Sequence, residues 1–180
     1  MLRRCVGHDY TERQMYMVTM VTEGRRPLLG TLVGNNEATA RIELSELGKA
    51  VEERWMATSQ ICPEIDVVAL QIMPDHLHGI LFVREKMECH LGMAIKGFKT
   101  GCNKAYRRII LGVQSVATRS QQTQPTQQTI QRTPHDDRSH GLLFARGYND
   151  KLLLRAGQLE VWKAYLRDNP RRLFVKRQHP

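Results

Sequence analysis

The chain has 180 residues, four cysteines, a formal net charge of +9 and a pI of about 9.7. That length is enough for one domain with a proper core, and the charge points to a polyanionic partner, nucleic acid ahead of a membrane surface. The opening MLRRCVGHDY lacks the apolar core of a signal peptide, no long apolar run follows, and Cys5, Cys62, Cys89 and Cys102 form no CxxC pair; a disulfide or zinc-ribbon framework is disfavoured, and reduced thiols in the cytoplasm are expected.

In chain order, MYMVTMVT (15–22) reads as a buried strand. EGRRPLLG turns into a strand pair, roughly 28–33 and 38–44, joined across GNNEA. In 45–60 a Ser cap precedes Leu47, Val51 and Trp55 at helical spacing, so a helix is expected. IDVVALQIM (65–73) and HLHGILFV (76–83) are strands around an MPD turn, and their nearly continuous apolar character predicts the middle of a sheet. A long helix over 89–109 carries Leu91, Ile95, Phe98, Cys102, Ala105 and Ile109 on one stripe. Lys96, Lys99, Lys104, Arg107 and Arg108 lie off it, as a solvated face or one that tracks phosphates. Residues 116–140 are glutamine- and threonine-rich with little to bury, a flexible insertion into one domain spanning 1–180. A strand-like element follows in 141–156, then a last helix stopped by Pro170 and a basic tail. The pattern is α+β, an antiparallel sheet with helices on one or both faces.

Two features carry chemistry. His76 and His78 are two apart in a strand, so their rings share a face about 6.6 Å apart along the chain, with Asp75 and Leu77 facing the other way. Two imidazoles on one face suit a divalent metal, although a His-x-His pair also occurs simply hydrogen-bonded at a strand edge. A third ligand could come from Asp66, Glu88, His90, Asp150, Asp168 or Asn169. Tyr165 and Asn169 are four apart and share a helix face, beside an apolar stripe of Leu159, Trp162 and Leu166. That spacing can aim an amide and a phenol at the histidines, or reflect nothing more than a helix end and a packed ring.

Together these segments resemble a known family. MPDHLHGILFV resembles the HUH motif (His, bulky hydrophobe, His) of single-strand-specific endonucleases, and GFKTGCNKAYRR resembles the helix that follows it. LFARGYNDKLLLRAGQLEVWKAYLRDNPRR resembles the closing segment of single-tyrosine transposases. Within that class the chain is most similar to the REP-associated tyrosine (IS200-like) transposases, whose Tyr-Ile-x-x-Asn-Pro signature reads here Tyr165-Leu166-Arg167-Asp168-Asn169-Pro170. The similarity spans about residues 10 to 176 apart from the glutamine-rich stretch. It departs where members often carry Glu-His and this chain has Asp150-Lys151.

The resemblance implies a ferredoxin-like HUH endonuclease fold with the histidines on a central strand and the tyrosine on a facing helix. It implies His76, His78 and Asn169 as metal ligands, Tyr165 as nucleophile, and magnesium or manganese as the ion, although two imidazoles and an amide also suit manganese, cobalt, nickel or zinc. The implied substrate is single-stranded DNA with a hairpin, cleaved through a 5′-phosphotyrosine with release of a 3′ hydroxyl, by a monomer or homodimer. A phenol with a pKa of about 10 is a poor nucleophile unaided, which is what a metal on the phosphate remedies. Tyr106, off the apolar stripe, is the rival nucleophile and Tyr148 a third. Lys96, Lys99, Arg107, Arg108, Arg171, Arg172 and Lys176 are candidate DNA contacts. The competing readings are a catalytically inactive or domesticated single-strand binder, and a metal hydrolase of small phosphoesters, which the strong positive charge disfavours.

Overall fold

Strand β1 (Gln14–Val21) pairs antiparallel with β5 (His76–Val83) on one side and β6 (Asn149–Leu152) on the other; β4 (Ile65–Met73) pairs with the far edge of β5. This is a computed structural model, and it describes residues 5, 7–112 and 142–178; the glutamine-rich stretch 116–140 lies outside the described residues. Helix α1 (Glu46–Met56) comes between β1 and β4, and α3 (Leu91–Ile109) between β5 and β6. The order βαββαβ with all neighbours antiparallel is a ferredoxin-like α+β fold. The expected strand pair is present as β2 (Gly30–Val33) and β3 (Arg41–Leu44), a separate two-stranded sheet. The helix expected over 45–60 is divided into α1 and a short α2 (Thr58–Ile61). Ser45 caps α1 by accepting from the Gly48 amide at 3.0 Å, and its hydroxyl donates to the Leu28 carbonyl at 2.7 Å.

Side-chain alternation divides the sheet into two unequal faces. Tyr16, Val18 and Met20 of β1 and Leu77, Leu81 and Val83 of β5 face the main core. There they meet Leu47, Val51 and Trp55 of α1 and the predicted stripe of α3, where Leu91, Ile95, Phe98, Cys102 and Ala105 are buried. Met17 and Ile80 face the other way and pack with Trp162 and Leu166 of α4 (Gln158–Gln178). Gly79 lets the larger core close: a Cβ there would lie 2.0 Å from Cζ2 of the fully buried Trp55. Gly79→Ala should therefore destabilise the fold by about 1–3 kcal/mol or more, read as a lowered urea midpoint, because the indole must leave its place.

Two expectations are corrected here. β4 is an edge strand, not a central one. Its apolar run reflects cover on both faces, by α4 on one side and by α1 and α2 on the other, rather than neighbours in the sheet. Pro170 does not stop the last helix, which continues to Gln178. Proline removes one intrahelical hydrogen bond and crowds the preceding turn, at about 3 kcal/mol. Here Leu166 and Pro170 are both buried against the body of the protein. Asp168 bridges the break, pairing with Arg171 at 3.2 Å and Arg172 at 2.7 Å, and Arg171 also ties the helix to Glu37 of the β2–β3 turn at 3.0 Å.

Candidate active site

The histidines stand on the face covered by α4. His76, His78 and Ile80 alternate with the core residues of β5, and β5 is a central strand. The two rings lie 4.9 Å apart between centroids at 82°. The turn that delivers them is pinned: the Thr22 amide and hydroxyl both donate to the Asp75 carbonyl, at 2.8 and 3.0 Å, and the Leu29 amide donates to the Pro74 carbonyl at 2.9 Å.

Each ring is oriented through its Nδ1. His76 Nδ1 lies 2.6 Å from Asp75 Oδ1, and an ionised carboxylate only accepts, so this nitrogen carries a proton and the contact fixes the ring. Asp75 does not face away, as strict alternation would require. It belongs to the turn and folds back onto the ring, and Arg25 holds its other oxygen at 3.1 Å. Burial alone would raise the Asp75 carboxyl, but hydrogen bonds and charge from His76 and Arg25 outweigh it and keep the group below its usual value. His78 Nδ1 lies 2.8 Å from Thr19 Oγ1, its partner across β1. Among the described residues neither Nε2 has a hydrogen-bond partner.

His78 is 8% exposed. Burial first, then the charges of His76 and Lys151, pull its pKa down from 6.5 to about 4, so it is neutral near pH 7 as a ligand must be. Below pH 6.5 the unfolded chain takes up a proton that the folded chain refuses. Metal-free protein should therefore lose up to about 3 kcal/mol as pH falls from 6.5 to 4, with no further loss from this group below that. His78→Gln should remove that component, measured as urea midpoints across this range in chelator.

Helix α4 brings Tyr165 over the pair. Its half-buried ring lies 5.5 Å from the His78 ring, edge to face, and the Arg172 guanidinium sits 5.2 Å from its centroid. One turn on, Asn169 is 7% exposed and its amide Nδ2 is buried without a hydrogen-bond partner. The amide oxygen and nitrogen are interchangeable by a flip, so this orphaned end is a position for an oxygen ligand as readily as for a donor. The other candidate third ligands are committed elsewhere. Asp66 pairs with Arg84 at 3.3 Å, Asp168 with Arg171 and Arg172, and Asp150 accepts from Tyr10 at 2.6 Å on the face opposite the histidines. His90 is the residue before α3, which packs the opposite face, and Glu88 lies two residues before it. Among the described residues no three His, Cys, Asp or Glu side chains group as a metal cage. Two imidazoles whose Nε2 atoms have no hydrogen-bond partner among the described residues, and one buried unpartnered amide, are nonetheless donor types that suit an ion that keeps open positions.

The remaining predicted residues divide. Tyr106 is corrected: it is 3% exposed in the main core, with its hydroxyl accepting from Arg26 Nη1 at 2.8 Å. Tyr148 is also in that core. Lys96, Arg107 and Arg108 are exposed on α3, on the opposite side of the sheet from the histidines. Lys99 is half-buried, and its ammonium donates to the Ala145 and Gly147 carbonyls at 2.6 and 2.5 Å, fastening the segment that leads into β6. Arg171, Arg172 and Lys176 are exposed on α4 beyond Tyr165. The orienting partners Thr19 and Asp75 carry no motif of their own; only the β1–β5 register and the turn bring them to the rings.

No family model matches the sequence. An uncharacterised protein of Haemophilus influenzae is 23% identical over 169 residues, covering 88% of this chain and 91% of the relative. A solved structure of a REP-associated tyrosine transposase bound to a REP hairpin superposes with a TM-score of 0.57 at 11% identity, covering 93% of this chain and 73% of that one. The chain thus shares the fold of that transposase; in this chain the histidine pair stands on central strand β5 and the Tyr165 ring of α4 packs against His78.

Proposed function

We propose that this protein is an HUH single-strand DNA transposase of the REP-associated tyrosine type, acting on hairpin-bearing ends. The observation that supports the reading is the arrangement of the two imidazoles: each Nδ1 is held by a partner, neither Nε2 has a hydrogen-bond partner among the described residues, and a tyrosine ring packs against one of them. His76, His78 and Asn169 would hold a magnesium or manganese ion. Such an ion supplies charge neutralisation at the scissile phosphate.

The chain's own groups do the rest. Asp75 and Thr19 fix the ring orientations, and burial keeps His78 neutral. Arg172 and His78 confine the Tyr165 ring from two sides. The Tyr165 hydroxyl oxygen bonds to phosphorus as the bond from phosphorus to O3′ breaks. The phenol proton leaves to solvent and the departing O3′ gains one, giving a 5′-phosphotyrosine and a free 3′ hydroxyl. The ester conserves the energy of the broken linkage, so a second 3′ end can be joined without nucleotide hydrolysis.

The test is incubation with a hairpin-bearing single strand and Mn2+ or Mg2+, followed by denaturing electrophoresis. A covalent adduct that chelator abolishes is expected. Salt-dependent binding indifferent to chelator, with no adduct under any metal, would instead make the protein a non-catalytic single-strand binder.

A further inference from the structure

Edge strand β6 brings an unassigned cation to the same face. Its register places Asn149 opposite Thr19 and Lys151 opposite Met17, and the Leu153 amide continues the pairing by donating to the Met15 carbonyl at 2.9 Å. Thr19 touches His78, while Met17 and Leu153 pack with Trp162 under α4. Asn149, Lys151 and Leu153 therefore project toward α4, and Lys151 stands on the β6 side of Met17, in the row of Ile80 and diagonal to His78 on the same face.

Lys151 is exposed and has no carboxylate partner among the described residues. Several other cations already have a carboxylate partner: Arg25 has Asp75, Lys163 has Glu160, and Arg171 and Arg172 have Asp168. An ammonium without a carboxylate partner, on the same sheet face as two imidazoles suited to a divalent cation, is electrostatically unfavourable on its own. A phosphate between them reverses that balance, because each positive group then faces a negative oxygen.

We propose that Lys151 is a substrate-binding residue of this site, its ammonium holding a non-bridging phosphate oxygen of the single strand beside the scissile bond. This inference rests on the strand-transfer reading above. It adds a second point of grip, on the β6 side, that the histidine and tyrosine motifs do not supply.

The test uses the full chain with Lys151→Ala, Lys151→Arg and, as a control for charge loss on the opposite face, Lys49→Ala of α1. Lys151→Ala should slow Tyr165 adduct formation about 100-fold, and Lys151→Arg should restore most of the rate. The slope of log binding constant against log salt should become shallower by about 0.7 in Lys151→Ala and stay unchanged in the other two. Lys151→Ala forming the adduct at the wild-type rate with an unchanged slope, or Lys49→Ala shifting the slope equally, overturns the proposal. A wild-type protein that forms no adduct sinks the strand-transfer reading instead. The phosphate contact then stands if Lys151→Ala alone shallows the slope and falls if it does not.

Discussion

Tyr165→Phe is expected to bind the hairpin-bearing strand as the wild type does and to form no covalent adduct, a loss of about 10⁴-fold or more on denaturing gels. The substitution removes one oxygen. The ring remains, with its contacts to His78 and the Arg172 guanidinium, so folding and the lie of α4 should not change. Tyr106→Phe is the matched comparison. It strips a hydrogen bond from Arg26 inside the main core, which should cost about 1 kcal/mol of stability while leaving the adduct intact. An adduct that survives in Tyr165→Phe and vanishes in Tyr106→Phe would reassign the nucleophile to a buried residue, and the reading of this site would fail.

The second large effect belongs to the histidines. His76→Ala combined with His78→Ala should abolish metal-dependent cleavage, by about 10³-fold or more, and should abolish high-affinity Mn2+ binding by titration calorimetry, while salt-dependent DNA binding persists. Several kcal/mol of charge stabilisation at the phosphate are lost, but the cations at the surface are untouched. Because His78 is buried, its truncation leaves a small void and strips Thr19 of a partner. His78→Gln is the variant that keeps the volume. It should lose Mn2+ binding as the alanine does, with a native urea midpoint at pH 7. Retained Mn2+ affinity in both variants would remove the metal from this site.

What the sequence made legible was whatever repeats locally. Alternation along 76–83 separated His76 and His78 from Leu77 and Leu81, and the 3.6-residue period of 91–109 picked out the buried stripe. The order of strands and helices sufficed for an α+β fold, and spacing alone put Tyr165 and Asn169 on one side of a helix. What it concealed was non-local. Asp75 escapes alternation because it sits in a turn, and Thr19 meets His78 only through a register set 59 residues away. Tyr106 meets Arg26 across 80 residues of sequence, and Lys99 is consumed by carbonyls nearly 50 residues on. The edge position of β4 was masked by the helices covering both its faces, and the passage of α4 through Pro170 by the acid–arginine pairs spanning it.

Helices α3 and α4 lie on opposite sides of one sheet. A nucleotide resting over His76 and His78 is therefore screened from Arg107 and Arg108 by the full thickness of the strands. On the proposed strand-transfer reading, a single strand gripped by both must bend around the rim of the sheet, so the part that is held and the part that is cut are separated along its length.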